Sequence, residues 1–171
     1  MTIQLVEDLY VQHLADALDA EKQMLRMMPT IEKALVTDEI TQAVSQHMKT
    51  TEEQVTCLGG ILSQRDARAR KQSKVMAGLL AEAQDLLEQP IEDPELLEAA
   101  LVLAAQKMEA FEAVCYASLH NFARILNRRD DARILQQIWA EERRMHDVLA
   151  GFAESLEFEA IEAETPVMAA R

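Results

Sequence analysis

The sequence predicts an all-α protein, an up-down bundle of four long helices with one long crossover between the second and the third. Three observations predict it. The 171-residue chain has only four Gly, four Pro and 4% aromatics, whereas a β-sandwich or barrel needs turn residues every ~8–12 positions. Its abundant residues are Ala, Leu, Glu, Gln, Met and Arg, which are strong helix formers. Apolar residues recur at alternating spacings of three and four, the seam of packed helices. The length suits one domain that folds without disulfide or metal staples.

The first helical pattern runs from about residue 2 to 28, where Pro29 should kink or interrupt it, and resumes to about 36. Thr37 and Asp38 are plausible N-caps for a second helix, which extends to about 62. The stretch SQRDARARKQSK (63–74) is polar and basic, without apolar periodicity. A short amphipathic helix follows at 75–88, carrying Val75, Met76, Leu79, Leu80, Leu86 and Leu87. The loop 89–94 ends in Asp93 as N-cap and Pro94 at the first helical position, opening a third long helix over 94–126. Asn127 to Asp130 form a short turn, and a fourth long helix spans 130–155. One long crossover in a four-helix bundle is the ferritin-like topology. Residues 1–156 are therefore expected to form the bundle, and 157–171 an acidic, flexible tail.

Charge narrows the function. Seventeen basic and thirty acidic residues leave a net charge of −13, which disfavours nucleic-acid binding and attachment to anionic membranes but attracts cations. No GxGxxG or GxxxxGK[ST] motif occurs. Cys57 and Cys115 form no CxxC pair, which fits a reducing compartment. The N-terminus lacks a basic region and a cleavage site, and no apolar run approaches ~18 residues. The chain reads as soluble and cytoplasmic.

Each long helix interrupts its apolar seam with an ionisable residue near the middle. The first reads Leu14, Ala17, Glu21, Met24, Met28. The second reads Ile40, Val44, His47, Thr51, Gln54, Leu58, Ile61. The third reads Leu101, Ala105, Met108, Glu112, Cys115, Leu119, and the fourth Leu135, Ile138, Glu142, Met145, Leu149. A single polar seam residue is commonly a register device. Four in four helices is another matter. Buried carboxylates cost several kcal/mol each unless paired or coordinated, and no Lys or Arg lies in these seams. Glu109, three before Glu112, and His146, four after Glu142, lie on the same faces as those residues. Glu and His facing inward from several helices suit a dinuclear carboxylate site for iron or manganese, and imidazole suits zinc as well.

The segments AEKQMLRMMP (20–29), QHMKTTEEQV (46–55), EAFEAVCYASL (109–119) and AEERRMHDVL (140–149) resemble the YciE/YciF family of ferritin-like bacterial proteins over about residues 3–152. The resemblance implies a ferritin-like bundle, an internal di-metal centre, a dimeric or larger assembly and a link to stress responses. The family's acidic positions fall on Glu21, Glu109, Glu112 and Glu142. Two positions depart from its pattern. Thr50 stands where relatives usually carry Glu, and His146 where some carry Asp. Glu53 is the nearest substitute for the lost carboxylate, about 60° around the helix from Thr50; a water, or an asymmetric or half-occupied site, is an equal alternative.

The expected centre is thus two iron ions, or manganese, held by Glu21, Glu109, Glu112, Glu142 and His146, with His47 as a ligand or a hydrogen-bond partner of one. It would redox-cycle with O2 or peroxide as a ferroxidase-type or peroxidase-type oxidoreductase. The alternatives are a non-enzymatic stress-associated bundle with a degenerate site, working through self-association or a protein partner, and a metal used for folding alone. Tyr116, one turn beyond Glu112, is expected to be a part-buried tyrosine or a hydrogen-bond donor to a ligand. His13 and His120 are expected at the surface, Cys57 and Cys115 as small packed groups, Trp139 in packing or an interface, and the basic cluster Arg65, Arg68, Arg70, Lys71 and Lys74 in a solvated loop.

Overall fold

The structure, a computed structural model, describes residues 5–65 and 72–155. These form five helices: α1 (Val6–Glu32), α2 (Asp38–Ser63), α3 (Lys74–Glu88), α4 (Pro94–Ile125) and α5 (Arg129–Ser155). Neighbouring long helices pack around a ring, α1 on α2, α2 on α5, α5 on α4 and α4 on α1, while the crossover helix α3 lies against α1 and α4. This is the ferritin-like bundle that the crossover predicts. The expected tail, 157–171, lies outside the described residues.

The seams hold with one adjustment. The buried residues of α2 are Ile40, Val44, His47, Thr51, Gln54, Leu58 and Ile61, and α5 buries Leu135, Ile138, Glu142, Met145 and Leu149 as expected. In α4 the expected Ala105 and Cys115 are only half-buried, while Ala104, Glu109 and Tyr116 are buried. That helix packs against α1, α3 and α5, so it presents a broader face than a two-residue seam.

Pro29 does not interrupt α1, which runs through it to Glu32. The ring removes one amide donor, but it sits exposed, near the end of the helix, where few hydrogen bonds remain to be broken. Asp93 caps α4 as expected, its Oδ1 accepting the amides of Glu95 (2.9 Å) and Leu96 (3.4 Å), with Pro94 next to it. We expect Asp93→Ala to cost about 1 kcal/mol, a fall of ~2–4 °C in Tm for a chain of this size, read by thermal unfolding. The α4–α5 turn closes with the Arg128 amide donating to Ala123 (2.8 Å) and the Asn127 amide to Arg124 (3.0 Å). Asn127 takes φ 56°, the left-handed C-terminal stop that Asn tolerates.

The cap of α2 comes from another helix. Thr37 is the N-cap but makes no side-chain cap of its own. Instead the buried Glu98 of α4 accepts the amides of Val36 and Thr37 (both 2.9 Å) and the Thr37 hydroxyl (2.7 Å). At the other end of the crossover, Asp19 Oδ2 accepts the Ser73 amide (2.8 Å) and Gln23 donates to the Ser73 carbonyl (3.0 Å), tying the entry of α3 to α1.

The far end of the bundle is closed by charge. Tyr10 donates to Asp131 (3.0 Å), which also accepts from Arg65. The Arg65 guanidinium lies over the Tyr10 ring, 5.3 Å from its centroid. Glu7 accepts from Arg128 (2.6 and 3.3 Å). Arg65 therefore does not belong to a solvated loop: only 7% of its side chain is exposed. Lys74 is exposed at the start of α3, and Arg68, Arg70 and Lys71 lie outside the described residues.

Candidate metal centre

Two apolar clusters fill the bundle. One contains Met24, Met28, Ile40, Val44, Met108, Met145 and Leu149; the other contains Tyr10, Leu14, Leu58, Ile61, Leu119, Leu135 and Ile138. Between them, at mid-height of the seams, lies a buried polar layer: Glu21 from α1, His47, Thr51 and Gln54 from α2, Glu109 and Glu112 from α4, and Glu142 from α5. Heptad spacing put these residues at one level in four helices, and the packing of the helices turned them inward together.

His47 Nε2 lies 3.3 Å from Glu109 Oε1 and 3.6 Å from Glu142 Oε2. One donor atom from each of these three residues lies within 4.8 Å of the other two. Metal–ligand bonds of ~2.0–2.2 Å place donors ~3–4.4 Å apart around one ion, so the spacing fits. Glu21 accepts a short hydrogen bond from the Tyr116 hydroxyl. Glu142 accepts one from Gln54, whose amide also donates to Glu141 Oε2 (3.1 Å).

The layer carries excess negative charge. No Lys or Arg among the described residues forms an ion pair with Glu21, Glu109, Glu112 or Glu142. Both carboxylate oxygens of Glu112, together with Glu109 Oε2 and Glu142 Oε2, are buried without a hydrogen-bond partner. Glu21 is raised to about 7, chiefly by burial, with Glu109 and Glu141 adding to the rise and the Tyr116 hydrogen bond and His47 opposing it. Burial, and then Glu21 and Glu109, hold Glu112 well above the carboxylate range. Glu142 is raised in the same way, by burial and by Glu109, Glu21 and Glu112. Burial works against the His47 imidazolium, but the surrounding carboxylates, Glu109 foremost, overcome it and raise its pKa. Unpartnered carboxylate oxygens beside an imidazole are a donor set that would suit a divalent cation.

The structure separates the expected site residues. Glu21, His47, Glu109, Glu112 and Glu142 converge in the buried layer. His146 does not join them. Its side chain is 39% exposed, with Nδ1 3.6 Å from Asp147. A spacing of four overshoots one turn by about 40°, and Met145 and Leu149 take the inward positions beyond Glu142. Glu53 is exposed and does not replace the carboxylate missing at Thr50, which is half-buried beside His47 in a cleft between α2 and α5. Tyr116 is buried, and its hydroxyl donates to Glu21, the donor role rather than packing alone. Thr51 and Gln54 carried a signal beyond the ionisable residues: three consecutive seam positions of α2, His47, Thr51 and Gln54, are polar.

Other expectations shift as well. Cys57 is exposed and does not pack as a small apolar group. Cys115 is half-buried, its thiol pushed up to about 12 by burial and by Glu112, Asp16 and Glu21, which removes it as a nucleophile at neutral pH. His13 is exposed, as expected, and stacks on Phe122 with ring centroids 6.4 Å apart. Trp139 is half-buried and packs beside His120 and under Arg143.

A family model described as a domain of unknown function, DUF892, matches residues 5–162. The chain belongs to this family. Among curated proteins it is 30% identical to protein YciF of Escherichia coli (strain K12) over 145 residues, 84% of this chain and 87% of that protein. The crystal structure of the E. coli stress protein YciF superposes with a TM-score of 0.83 at 28% identity, covering 89% of this chain and 96% of that one. The structure of YcfI from Rhodopseudomonas palustris, described as a putative structural protein, gives a TM-score of 0.81 at 25% identity, with 91% of this chain and 97% of that one covered. The DUF892 chain is therefore a homologue of a stress protein. No helix among its described residues is long and apolar enough to cross a membrane.

Proposed function

We propose that this protein holds iron or manganese in a dinuclear carboxylate centre and redox-cycles it with O2 or peroxide during stress, in the cytoplasm and as a homo-oligomer. One observation carries the reading: four buried carboxylate oxygens without hydrogen-bond partners, beside the only imidazole in the layer. His47, Glu109 and Glu142 would hold one ion, and Glu21 and Glu112 supply the carboxylates for a second. When bound, the metal would supply one-electron oxidation and reduction.

The chain's own residues set the conditions for that chemistry. Tyr116 fixes the carboxyl of Glu21, and Gln54 fixes that of Glu142. The apolar clusters above and below exclude bulk water. The raised carboxyls hold protons in the metal-free protein, so binding must displace them, and affinity rises with pH.

A second reading, a non-enzymatic bundle, draws on the description of the R. palustris relative as a putative structural protein. Plasma mass spectrometry of untagged protein purified without chelator, beside a Glu112→Ala/Glu142→Ala variant, tests the centre. Near-stoichiometric iron or manganese in the wild type, lost in the variant, is the expected result. No metal in either protein, even after anaerobic Fe(II) loading, would overturn it. Turnover of peroxide or Fe(II) that disappears in Glu112→Ala then separates the enzyme from the non-enzymatic bundle.

A further inference from the structure

We propose that the cleft over the α4–α5 turn is a binding site for small polyanions, molecules carrying two or more adjacent phosphate or carboxylate groups. The cleft has a volume of about 530 Å3, and its lining includes Arg124, Arg128, Arg129, Arg133, His120 and Gln136. That size lies within the ordinary range of small-molecule pockets, ~300–1,000 Å3. It shares no residue with the carboxylate layer.

The charge there runs against the rest of the molecule. A chain of net charge −13 with seventeen basic residues places four arginines around one cavity. Their positive charge is poorly answered from within. Arg128 is held by Glu7. Arg133 meets only Asp130, at 3.5 Å, with both side chains almost wholly exposed, and such a pair contributes little. Arg124 and Arg129 have no acidic partner among the described residues. The guanidiniums repel one another, and an anion in the cleft would offset that repulsion while accepting bidentate hydrogen bonds from their planar forks.

The walls are positioned in advance. Asn127 in the left-handed conformation and the two backbone bonds of the turn fix the junction that carries Arg128 and Arg129. His120 donates Nδ1–H to the Ala132 carbonyl (2.9 Å), which orients its ring at the edge of the cleft. Gln136 adds amide donors. The chain's net charge of −13 disfavours a long phosphate polymer, so a small polyanion fits better than nucleic acid.

Calorimetric titration of the full chain with pyrophosphate, and separately with tricarballylate, tests the site. Saturable binding is expected at low salt, weakened several-fold at physiological ionic strength. Arg124→Gln/Arg129→Gln should weaken it by at least ~10-fold with Tm nearly unchanged, since both side chains are exposed. Arg143→Gln, outside the cleft, should leave it unaltered. Tighter pyrophosphate binding would assign the natural ligand to phosphate compounds, and tighter tricarballylate binding to carboxylates. Absence of saturable binding of either probe up to ~5 mM, or binding unchanged in the double variant, would overturn the proposal.

Discussion

Metal-free protein is expected to lose stability as the pH rises from about 4.5 through 7 and beyond. Glu21 moves from an ordinary 4.5 to about 7 in the folded chain, because burial penalises its charged form. The folded state therefore holds this proton where the unfolded state has released it. Stability falls with pH wherever the native state binds more protons. At 1.36 kcal/mol per pH unit, Glu21 alone removes about 3 kcal/mol between those limits. Glu112 and Glu142 are raised by burial and mutual repulsion, so they act with the same sign and extend the loss to higher pH. His47, also raised, adds to it: its share is present below the unfolded imidazole value and lost as pH climbs past the folded one. Thermal unfolding of chelator-treated protein between pH 5 and 9 should show Tm falling by more than ~6–12 °C. Glu112→Gln, which removes one carboxyl that folding must keep protonated or bury charged, should raise the metal-free Tm at pH 8 and flatten the slope. The same variant should lose the stabilisation that added metal gives the wild type. A Tm that stays flat or rises across this range would show that the carboxylates are not buried together as described.

The second large effect is expected at Glu98. Its carboxylate accepts two backbone amides and a hydroxyl from the start of α2. Hydrogen bonds to a charged acceptor each contribute about 1.5–3 kcal/mol, and donors left without a partner add a further cost. Glu98→Ala should cost roughly 3 kcal/mol or more, a fall of ~6–12 °C in Tm. Glu98→Gln keeps one acceptor and should fall between the two. Hydrogen exchange at the amides of Val36 and Thr37 separates this cap from general packing: those two should lose protection first in Glu98→Ala. Equal stability of Glu98→Ala and wild type would show that Thr37 and solvent suffice as the cap.

Much of the buried polar layer was legible because the bundle repeats. A seven-residue spacing places Glu21, His47, Glu112 and Glu142 at matching heights in their seams, and all four are buried in one layer. Glu109 was legible for the same reason, three positions from Glu112 on one face. His146 was misjudged because a spacing of four suggests a shared face, while its helix had already given its inward positions to Met145 and Leu149. The seam placed Gln54 inward, but its bonds to Glu141 and Glu142, and Glu141's place beside the layer, depend on a contact between α2 and α5 that no local pattern encodes.

The sequence by itself determined the helices, their order, the crossover and the level at which polar residues break the core. Those depend on local spacing, caps and turns, which a chain carries in its own order. Which polar residues meet came from the packing of the helices. It brought Glu98 to the amides of α2, Tyr116 to Glu21 and Gln54 to Glu142, and it buried Arg65 against Tyr10 and Asp131. Each of those contacts joins residues more than fifty positions apart, so its geometry depends on how helices rotate and pack against one another, and neighbours in the chain hold no record of that.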